Sequence, residues 1–429
     1  MADDPRVSEL PPPTRRLRIG LVSLADPEDP QAISGMPHAI KGQLLRLGHE
    51  VVDLVPGAEP AGERLRRQVA RVLPGPVKRA LKGALRQGAG VALLERVRAW
   101  SSPVLDDEAI YRAELERARR LSRDLAGRIA ACVPALDLLV GVCISVPLFE
   151  LEVAQPIVYF SDTTATLIVQ TYPTWRDQPE GWRRACLEVE RAALARARLA
   201  LFATELARRS AVEEFGVDPA RTQSIPLGAN VTPDPALVER ARRVPAPSPA
   251  DLRLVITASD PARKQLDLVI DVVERLRAEG VAATLDFIGP PTPRAEAHPH
   301  VRCAGRLVLS RPADRRRNLE LLADSHLMVM PSLGEAFGIA VAEAAHLGKP
   351  SVVSAAGGLP EVLDPQRRAG RVLPLGAGAE DYARAVRELA LDPDTYQAAS
   401  AAALERARGV LHWDRFGERL GALLEEVTV

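Results

Sequence analysis

The chain has 429 residues with 56 Lys and Arg against 56 Asp and Glu, so it carries no net charge at neutral pH. That length predicts two domains, because a single core rarely grows beyond about 250–300 residues. The charge balance argues against a nucleic-acid partner, which would require a basic excess. The four cysteines are scattered without C-x-x-C spacing, so neither a disulfide framework nor a zinc site is predicted.

The sequence predicts a cytoplasmic location. The start, Met-Ala-Asp-Asp-Pro, lacks the basic and apolar runs of a signal peptide, and the longest apolar stretch, 138–149, is too short to span a bilayer. Residues 61–100 contain ten Lys or Arg and two acids. Such a segment is either a solvated surface insertion or a peripheral contact with an anionic membrane.

The first half of the chain alternates between apolar strands and helices. Residues 1–15 are polar and proline-rich and are predicted to form a disordered lead. A first strand at 17–24 is followed by a loop with Gly35, a helix at about 38–47 and a strand at 49–54. Further strands are predicted at 136–142, 157–160, 199–203 and 221–225. This alternation predicts a doubly wound parallel sheet, assigned to a domain of residues 16–235.

The second half repeats the pattern after a proline-rich linker at 236–250. A second domain, 251–410, contains a helix at 265–278 and strands at 252–258, 284–288, 327–330, 351–354 and 371–373. An amphipathic helix at 411–429 ends the chain. The predicted fold class is α/β, with two Rossmann-like domains facing a cleft at the carboxyl ends of their strands, where such folds bind ligands.

The most informative segment is 331–350, where a strand enters a glycine-containing loop and then a helix of small residues. Glu335 lies just before this helix, and Glu343 is predicted two turns inside it, among alanines. Backbone N–H groups at the start of such a helix can hold an anion. Phosphate-binding amides beside carboxylates that accept hydrogen bonds from sugar hydroxyls predict a nucleotide sugar as ligand. The alternative is a solvated helix that carries Glu343 by chance, with Glu335 as an acid near the N-cap that the helix dipole favours.

The E-x7-E spacing and the following Gly-Gly-Leu-Pro-Glu at 357–361 resemble the donor site of family-4 retaining glycosyltransferases of the GT-B fold. The resemblance extends over most of the chain and is stronger in the second half. It implies that the last helix crosses back to the first domain. It also implies that Glu335 contacts the donor hexose and Glu343 the ribose, with the N–H groups of Phe337, Gly338 and Ile339 beside the phosphates.

The loop 258–265 resembles the family's diphosphate-binding loop. Lys264 matches the family's lysine, and Arg263 is the candidate for its second cation. Ser259 and Asp260 stand where the family has Gly-Arg, and Ser259 is assigned to the donor site. Gln265 replaces the glycine that usually follows the lysine. Gly35 would let the first domain's backbone approach the diphosphate, or else forms a plain turn before a helix.

The acceptor side is less clear from sequence. Many relatives have a catalytic histidine after the strand at 157–160, and here Asp162 stands in its place. Asp162 is predicted either to orient the acceptor hydroxyl or to cap the next helix. No cofactor and no metal site is predicted, because the D-x-D match at 392–394 is interpreted as a helix cap.

The residues predict metal-independent transfer of a sugar from a nucleoside-diphosphate sugar to a hydroxyl acceptor, and the resemblance implies a retaining glycosyltransferase. That acceptor is a glycan, a glycolipid or a small molecule. The alternatives are a catalytically inactive sugar-nucleotide-binding protein and a GT-B-fold sugar-nucleotide epimerase.

Overall fold

The structure is a computed structural model that describes residues 15–57, 106–231, 233–364 and 366–428. The basic segment 61–100 and most of the predicted lead lie outside the described residues. None of the described helices is long and apolar enough to cross a membrane.

The first domain contains a six-stranded parallel sheet in the order β2-β1-β3-β4-β5-β6. Apart from β2 and β6, its strands are largely apolar and almost wholly buried, as expected when helices cover both faces of a parallel sheet. The strands are β1 Arg18–Val22, β2 Glu50–Leu54, β3 Leu138–Val142, β4 Ile157–Ser161, β5 Leu199–Phe202 and β6 Thr222–Ser224.

Six helices accompany this sheet in the described residues. Three of them begin with an oxygen side chain that accepts a backbone N–H at its N-cap, and these capping residues are Asp106, Thr164 and Thr204. The helices are α1 Met36–Arg46, α2 Asp107–Ala130, α3 Ala165–Thr171, α4 Pro173–Arg176, α5 Glu180–Arg196 and α6 Glu205–Phe215.

The second domain contains another six-stranded parallel sheet, in the order β12-β11-β10-β7-β8-β9. Its strands are β7 Leu252–Thr257, β8 Ala283–Ile288, β9 Val301–Gly305, β10 Leu327–Met330, β11 Ser351–Ser354 and β12 Gly370–Leu373. Two parallel, doubly wound sheets confirm the predicted fold class.

The second domain's helices cover both faces of that sheet. They are α8 Leu266–Ala278, α9 Pro293–Ala297, α10 Pro312–Asp324, α11 Ile339–Ala345, α12 Leu359–Leu363, α13 Ala379–Ala390 and α14 Pro393–Gly409. The Asp392 side chain caps α14 by accepting from the N–H of Thr395 at 2.8 Å, which agrees with the interpretation of the D-x-D match.

The connection between the domains is more ordered than its proline content suggested. The predicted linker at 236–250 begins inside a helix, α7 Pro235–Arg243, capped by Asp234. Arg240 on α7 forms a two-pronged ion pair with Asp324 at 2.7 Å, and Leu237 and Ala241 are buried. The connection is therefore packed on the second domain.

The last helix, α15 Trp413–Thr428, returns to the first domain as the resemblance implied. Asp414 pairs with Arg46 of α1, and Phe416 packs edge-to-face on Phe160 of β4, with ring centroids 5.3 Å apart. Gly417 lies where a Cβ atom would be 2.4 Å from the Gln43 side chain. The close approach of α1 and α15 braces the two domains against each other.

Candidate functional site

The site lies where the strand order of the second sheet reverses. In that sheet β7 has β8 on one side and β10 on the other, so the loops after β7 and β10 leave neighbouring strands in opposite directions. Parallel sheets bind ligands in the crevice at such a point. The two loops are 258–265 and 331–338, the segments singled out in the sequence.

Glu335 is the centre of a charged cluster formed by these loops. Its Oε2 atom lies 3.4 Å from Arg263 Nη1 and 3.4 Å from Lys264 Nζ. The Ser332 hydroxyl donates to the same oxygen at 3.4 Å. The three charged side chains are only 10–14% exposed. The structure thus joins three of the predicted residues in one nearly buried group.

The charges of this cluster are mutually stabilising. Burial alone would raise the pKa of Glu335, but the nearby positive charges of Lys264 and Arg263 outweigh it and hold the pKa below its usual value. Glu335 is therefore ionised at neutral pH. The two cations share this one buried carboxylate, and Arg263 also lies 3.8 Å from the exposed carboxylate of Asp260. Both cations still have N–H donors available for a further anion.

The loop after β7 is held by its own backbone bonds. The Lys264 N–H donates to the carbonyl of Asp260 at 3.0 Å, and the Arg263 N–H donates to the Asp260 side chain at 3.1 Å. Gln265 then adopts a left-handed conformation with φ of 51°. This geometry favours glycine, which explains why a glycine is usual at the position. Ser259 lies exposed in the same loop, and no contact joins it to Glu335 in the described residues.

The loop after β10 ends at a left-handed glycine. Gly338 has φ of +110°, and a Cβ atom there would lie 2.6 Å from Leu359. Phe337 is buried, Ile339 is partly buried, and the N–H groups at the start of α11 have no acceptor within the helix. α11 begins only at Ile339, so the predicted depth of Glu343 was wrong. That residue lies just over one turn into the helix, because the loop is longer than its sequence suggested.

Glu343 is a buried acid, and few groups around it stabilise its negative charge. It is 3% exposed, and burial raises its pKa to about 7, against the opposing effects of the Asn318 amide and Lys264. The Asn318 amide is near enough to Glu343 to lower that pKa, but its buried Nδ2 makes no hydrogen bond of full geometry in the described residues. A buried acid and a buried amide group without full partners have hydrogen-bonding capacity that hydroxyl groups of a ligand would satisfy.

The glycine turn at 357–361 supports Glu335 and reaches the first domain. A Cβ atom on Gly357 would lie 1.7 Å from the Glu335 carbonyl oxygen, so only glycine allows this approach. Glu361 then accepts from the N–H groups of Glu205 and Leu206, at 2.7 and 2.8 Å. These are first-turn donors of α6, where a carboxylate is favoured. A turn predicted as structural is thus also an interdomain contact.

Tyr172 makes a second interdomain contact that the sequence did not suggest. The Arg263 guanidinium lies over its ring, 5.0 Å from the centroid. Its hydroxyl accepts from the Ala336 N–H at 3.0 Å. Gly334 is packed so closely against this segment that a Cβ atom would lie 2.5 Å from the Thr171 carbonyl oxygen. The end of α3 is therefore fixed directly on the charged cluster.

Asp162 lies in the loop after β4, on the first domain's side of the cleft. It does not cap α3, because Thr164 does so by accepting from the Leu167 N–H. Burial raises the pKa of Asp162 to about 6, and the Glu335 charge adds to that rise. The cap is thus excluded for Asp162, whose Oδ1 accepts from the Cys143 thiol at 3.8 Å. Its role towards an acceptor hydroxyl stays a prediction.

Gly35 lies in a sharply turned loop after β1. Ile33, Ser34 and Gly35 are three successive left-handed residues, with φ of 49°, 55° and 76°, and the Asn230 side chain donates to the Ser34 carbonyl at 2.5 Å. In the described residues, no contact joins Gly35 to the cluster around Glu335. Its predicted approach to a diphosphate stays a prediction.

Residues 252–392, which contain the cluster, match the model of a family described as glycosyl transferases group 1. A curated relative, the D-inositol 3-phosphate glycosyltransferase of Kineococcus radiotolerans, is 28% identical over 232 residues. That match covers 48% of this chain and 52% of the relative, so the chain spans about half the length of the relative.

Solved structures resemble almost the whole chain. The sucrose-phosphate synthase of Thermosynechococcus elongatus superposes with a TM-score of 0.64 at 17% identity, covering 96% of this chain and 99% of that one. An Anabaena protein solved in complex with UDP and glucose gives a TM-score of 0.56 at 14% identity, covering 96% and 100%. At these identities the likeness concerns the fold, and the chain has the GT-B fold.

Proposed function

We propose that this chain is a metal-independent retaining glycosyltransferase that moves a sugar from a nucleoside diphosphate to a hydroxyl acceptor. The observation that carries the proposal is the cluster of Arg263, Lys264 and Glu335 at the switch point of the second sheet. The family match over 252–392 and the relatives' names support it.

The two cations would bind the diphosphate. Breaking the bond between the sugar and the phosphate leaves negative charge on the phosphate oxygen, which fixed positive charges stabilise. Arg263 and Lys264 share one carboxylate oxygen and keep donors to spare, since a guanidinium has five N–H groups and an ammonium three. A diphosphate can therefore join the cluster without displacing Glu335 entirely.

The two acids would hold the attached rings. An ionised carboxylate accepts stronger hydrogen bonds than a neutral group, which suits Glu335 to a hexose hydroxyl next to the diphosphate. Glu343 has a pKa of about 7, so at neutral pH it can either donate to or accept from the ribose hydroxyls. The first N–H groups of α11 would lie beside the phosphates.

Transfer would occur on one face of the sugar. The anomeric C–O bond to phosphate breaks, giving an oxocarbenium-like ion pair, and the acceptor oxygen bonds to the same face of that carbon. The leaving phosphate oxygen takes the acceptor proton, so atoms and charges balance without a protein nucleophile. Asp162 would orient the acceptor hydroxyl by accepting its hydrogen bond.

Two measurements test the proposal. The first is thermal unfolding with UDP, GDP or ADP, since a ligand at about 100 times its dissociation constant adds about 2.7 kcal/mol to the free energy of unfolding. The second is release of nucleoside diphosphate from the matching nucleotide sugar, which should continue slowly as hydrolysis without acceptor. Lys264→Ala and Glu335→Ala should each abolish release, whereas Arg384→Ala on the exposed surface of α13 should not.

Other outcomes identify other functions. Stabilisation by a nucleotide without any turnover would indicate a binding protein. Conversion of the donor sugar to its epimer would indicate an epimerase. Full activity in Lys264→Ala or Glu335→Ala would show that the site lies elsewhere.

A further inference from the structure

A cavity of about 480 Å³ opens in the first domain behind Asp162. Its walls come from the loops after β1, β3 and β4 and from helices α2, α3, α4 and α5. That volume is within the range of about 300–1,000 Å³ typical of small-molecule sites. Asp162 is part of its lining, as are Ala165 and Ile168 of α3. The end of that helix, Thr171, packs on Gly334 next to Glu335. The cavity therefore adjoins the proposed site of transfer.

Most of the cavity wall is apolar or aromatic. Trp175 of α4 and Trp182 of α5 meet edge-to-face with centroids 5.0 Å apart, and both line the space. Ala185 and Val189 lie on the same face of α5 as Trp182, three and seven residues further on, and Ile144 of the loop after β3 also lines the space. Indole rings beside aliphatic side chains favour a flat apolar ligand, which gains stacking contacts beyond its buried area.

The cavity is unsuited to an anion. Arg117 is the one cation among its described lining residues, and that guanidinium is paired with Glu114 at 3.2 Å. Two further acids, Asp162 and Glu190, line the same space. Burial raises the pKa of Glu190 to about 7, as expected for a carboxyl group in a poorly solvated, acidic environment. A phosphate placed here would meet like charges and little water.

A polar group at the inner wall can still recognise a ligand. Glu190 Oε1 accepts from the Tyr159 hydroxyl at 3.0 Å, and that hydroxyl lies 3.0 Å from the Ser145 hydroxyl. The other Glu190 oxygen accepts from the N–H of Ala165 at the start of α3. Each carboxylate oxygen has a further lone pair. The cavity thus offers hydrogen-bond acceptors at Asp162 and at Glu190, separated by apolar walls.

We propose that this cavity binds the body of the acceptor, and that the acceptor is an uncharged, hydroxyl-bearing compound with a flat apolar ring system. The inference rests on the proposed function, because it names the acceptor class for the same transfer site. It sets this chain apart from its curated relatives, whose names specify an inositol phosphate as acceptor. The reacting hydroxyl would lie at Asp162, and the ring system against the wall formed by Trp175, Trp182 and Ala185.

The test compares two probes on the wild-type protein. Isothermal titration should show saturable 1:1 binding of 2-naphthol, and quenching of tryptophan fluorescence should follow the same curve. Inositol phosphate at the same concentrations should bind at least tenfold more weakly. Tighter binding of inositol phosphate, or absence of saturable 2-naphthol binding, would overturn the inference. Neither readout requires a sugar donor or catalytic turnover.

A pair of variants locates the bound probe. Ala185→Leu adds volume inside the cavity, whereas Ala195→Leu makes the same change at an exposed position of the same helix. We expect Ala185→Leu to weaken 2-naphthol binding at least tenfold and Ala195→Leu to leave it unchanged. Equal weakening of binding in both variants would contradict the placement of the probe in this cavity.

The two proposals fail separately. A nucleoside diphosphate that stabilises the protein normally, together with no 2-naphthol binding, overturns only the acceptor class. If no nucleotide binds or turns over, the transferase function fails instead. The wild-type comparison stands even if Ala185→Leu does not fold.

Discussion

Glu335→Gln separates the stability of the empty site from its binding of a diphosphate. The substitution keeps the size of the side chain and removes the charge that Arg263 and Lys264 share at 3.4 Å. At that distance, with an effective dielectric constant of about 20, each ion pair amounts to about 5 kcal/mol before the cost of desolvation. Hydrogen bonds to charged groups contribute about 1.5–3 kcal/mol net, so we expect the free energy of unfolding to fall by about 2–3 kcal/mol.

Stabilisation by a bound nucleotide should increase in the variant, although the stability of the empty protein falls. In the wild type a diphosphate shares the two cations with the buried Glu335 carboxylate, whereas in the variant only the exposed Asp260 carboxylate, 3.8 Å from Arg263, still competes. UDP, or whichever nucleotide binds, should therefore raise the melting temperature of Glu335→Gln by more than that of the wild type. Transfer should fall by about 100-fold, because losing about 3 kcal/mol of hydrogen bonding to the hexose lowers the rate by that factor.

The assay is thermal unfolding with and without nucleotide, followed by measurement of nucleotide release from the sugar donor. Glu388→Gln, an exposed acid on α13, is the control and should match the wild type in both. A Glu335→Gln variant that binds nucleotide tenfold more weakly, or that transfers sugar at the wild-type rate, would refute the reasoning.

Three other predictions concern the acids and the cations of the cleft. Burial raises the pKa of Glu343 from 4.5 to about 7, so its stabilising contribution is present below about pH 4.5 and is lost as the pH rises through about 7. Between about pH 4.5 and pH 8, denaturant unfolding should show the free energy of unfolding of Glu343→Gln rising by up to about 3 kcal/mol relative to that of the wild type. A difference that does not depend on pH would contradict this. Glu361→Ala removes the carboxylate at the start of α6, which should lower the local stability of that helix end by about 1.4 kcal/mol. Amide hydrogen exchange at 205–208 should therefore become about tenfold faster. Unchanged exchange, or an equal increase in the exposed-surface control Glu405→Ala, would argue against the contact. Transfer should persist in excess EDTA because Arg263 and Lys264 supply the positive charge, and activity that is lost there and restored by Mg²⁺ would show that a metal is required.

Much of the fold was predictable because buried parallel strands form short apolar runs. The strand at 327–330 and the one at 351–354 occur where the sequence indicated. The strand β9 was missed, since it lies at the sheet edge and its side chains are mostly only partly buried, so it lacks the apolar run of a central strand. The helix inside the predicted linker was missed because its proline at the first helical position resembles a breaker, although proline is well suited to that position.

The candidate site was predictable where its residues belong to one loop or one helix. Lys264, Arg263 and Glu335 were found from local patterns, and the structure brings them together. Tyr172 and the second role of Glu361 were not found, because each acts on a partner in the other domain, more than 90 residues away in sequence. Spacing within a segment contains no information about such contacts.

The most direct test of the account is a crystal structure of the protein with a bound nucleoside diphosphate. We predict the diphosphate in the cleft, with its oxygens about 2.7–2.9 Å from Lys264 Nζ and the Arg263 guanidinium, and the ribose beside Glu343. A nucleotide bound outside the cleft, with the ion pairs of Glu335 unchanged, would contradict the account.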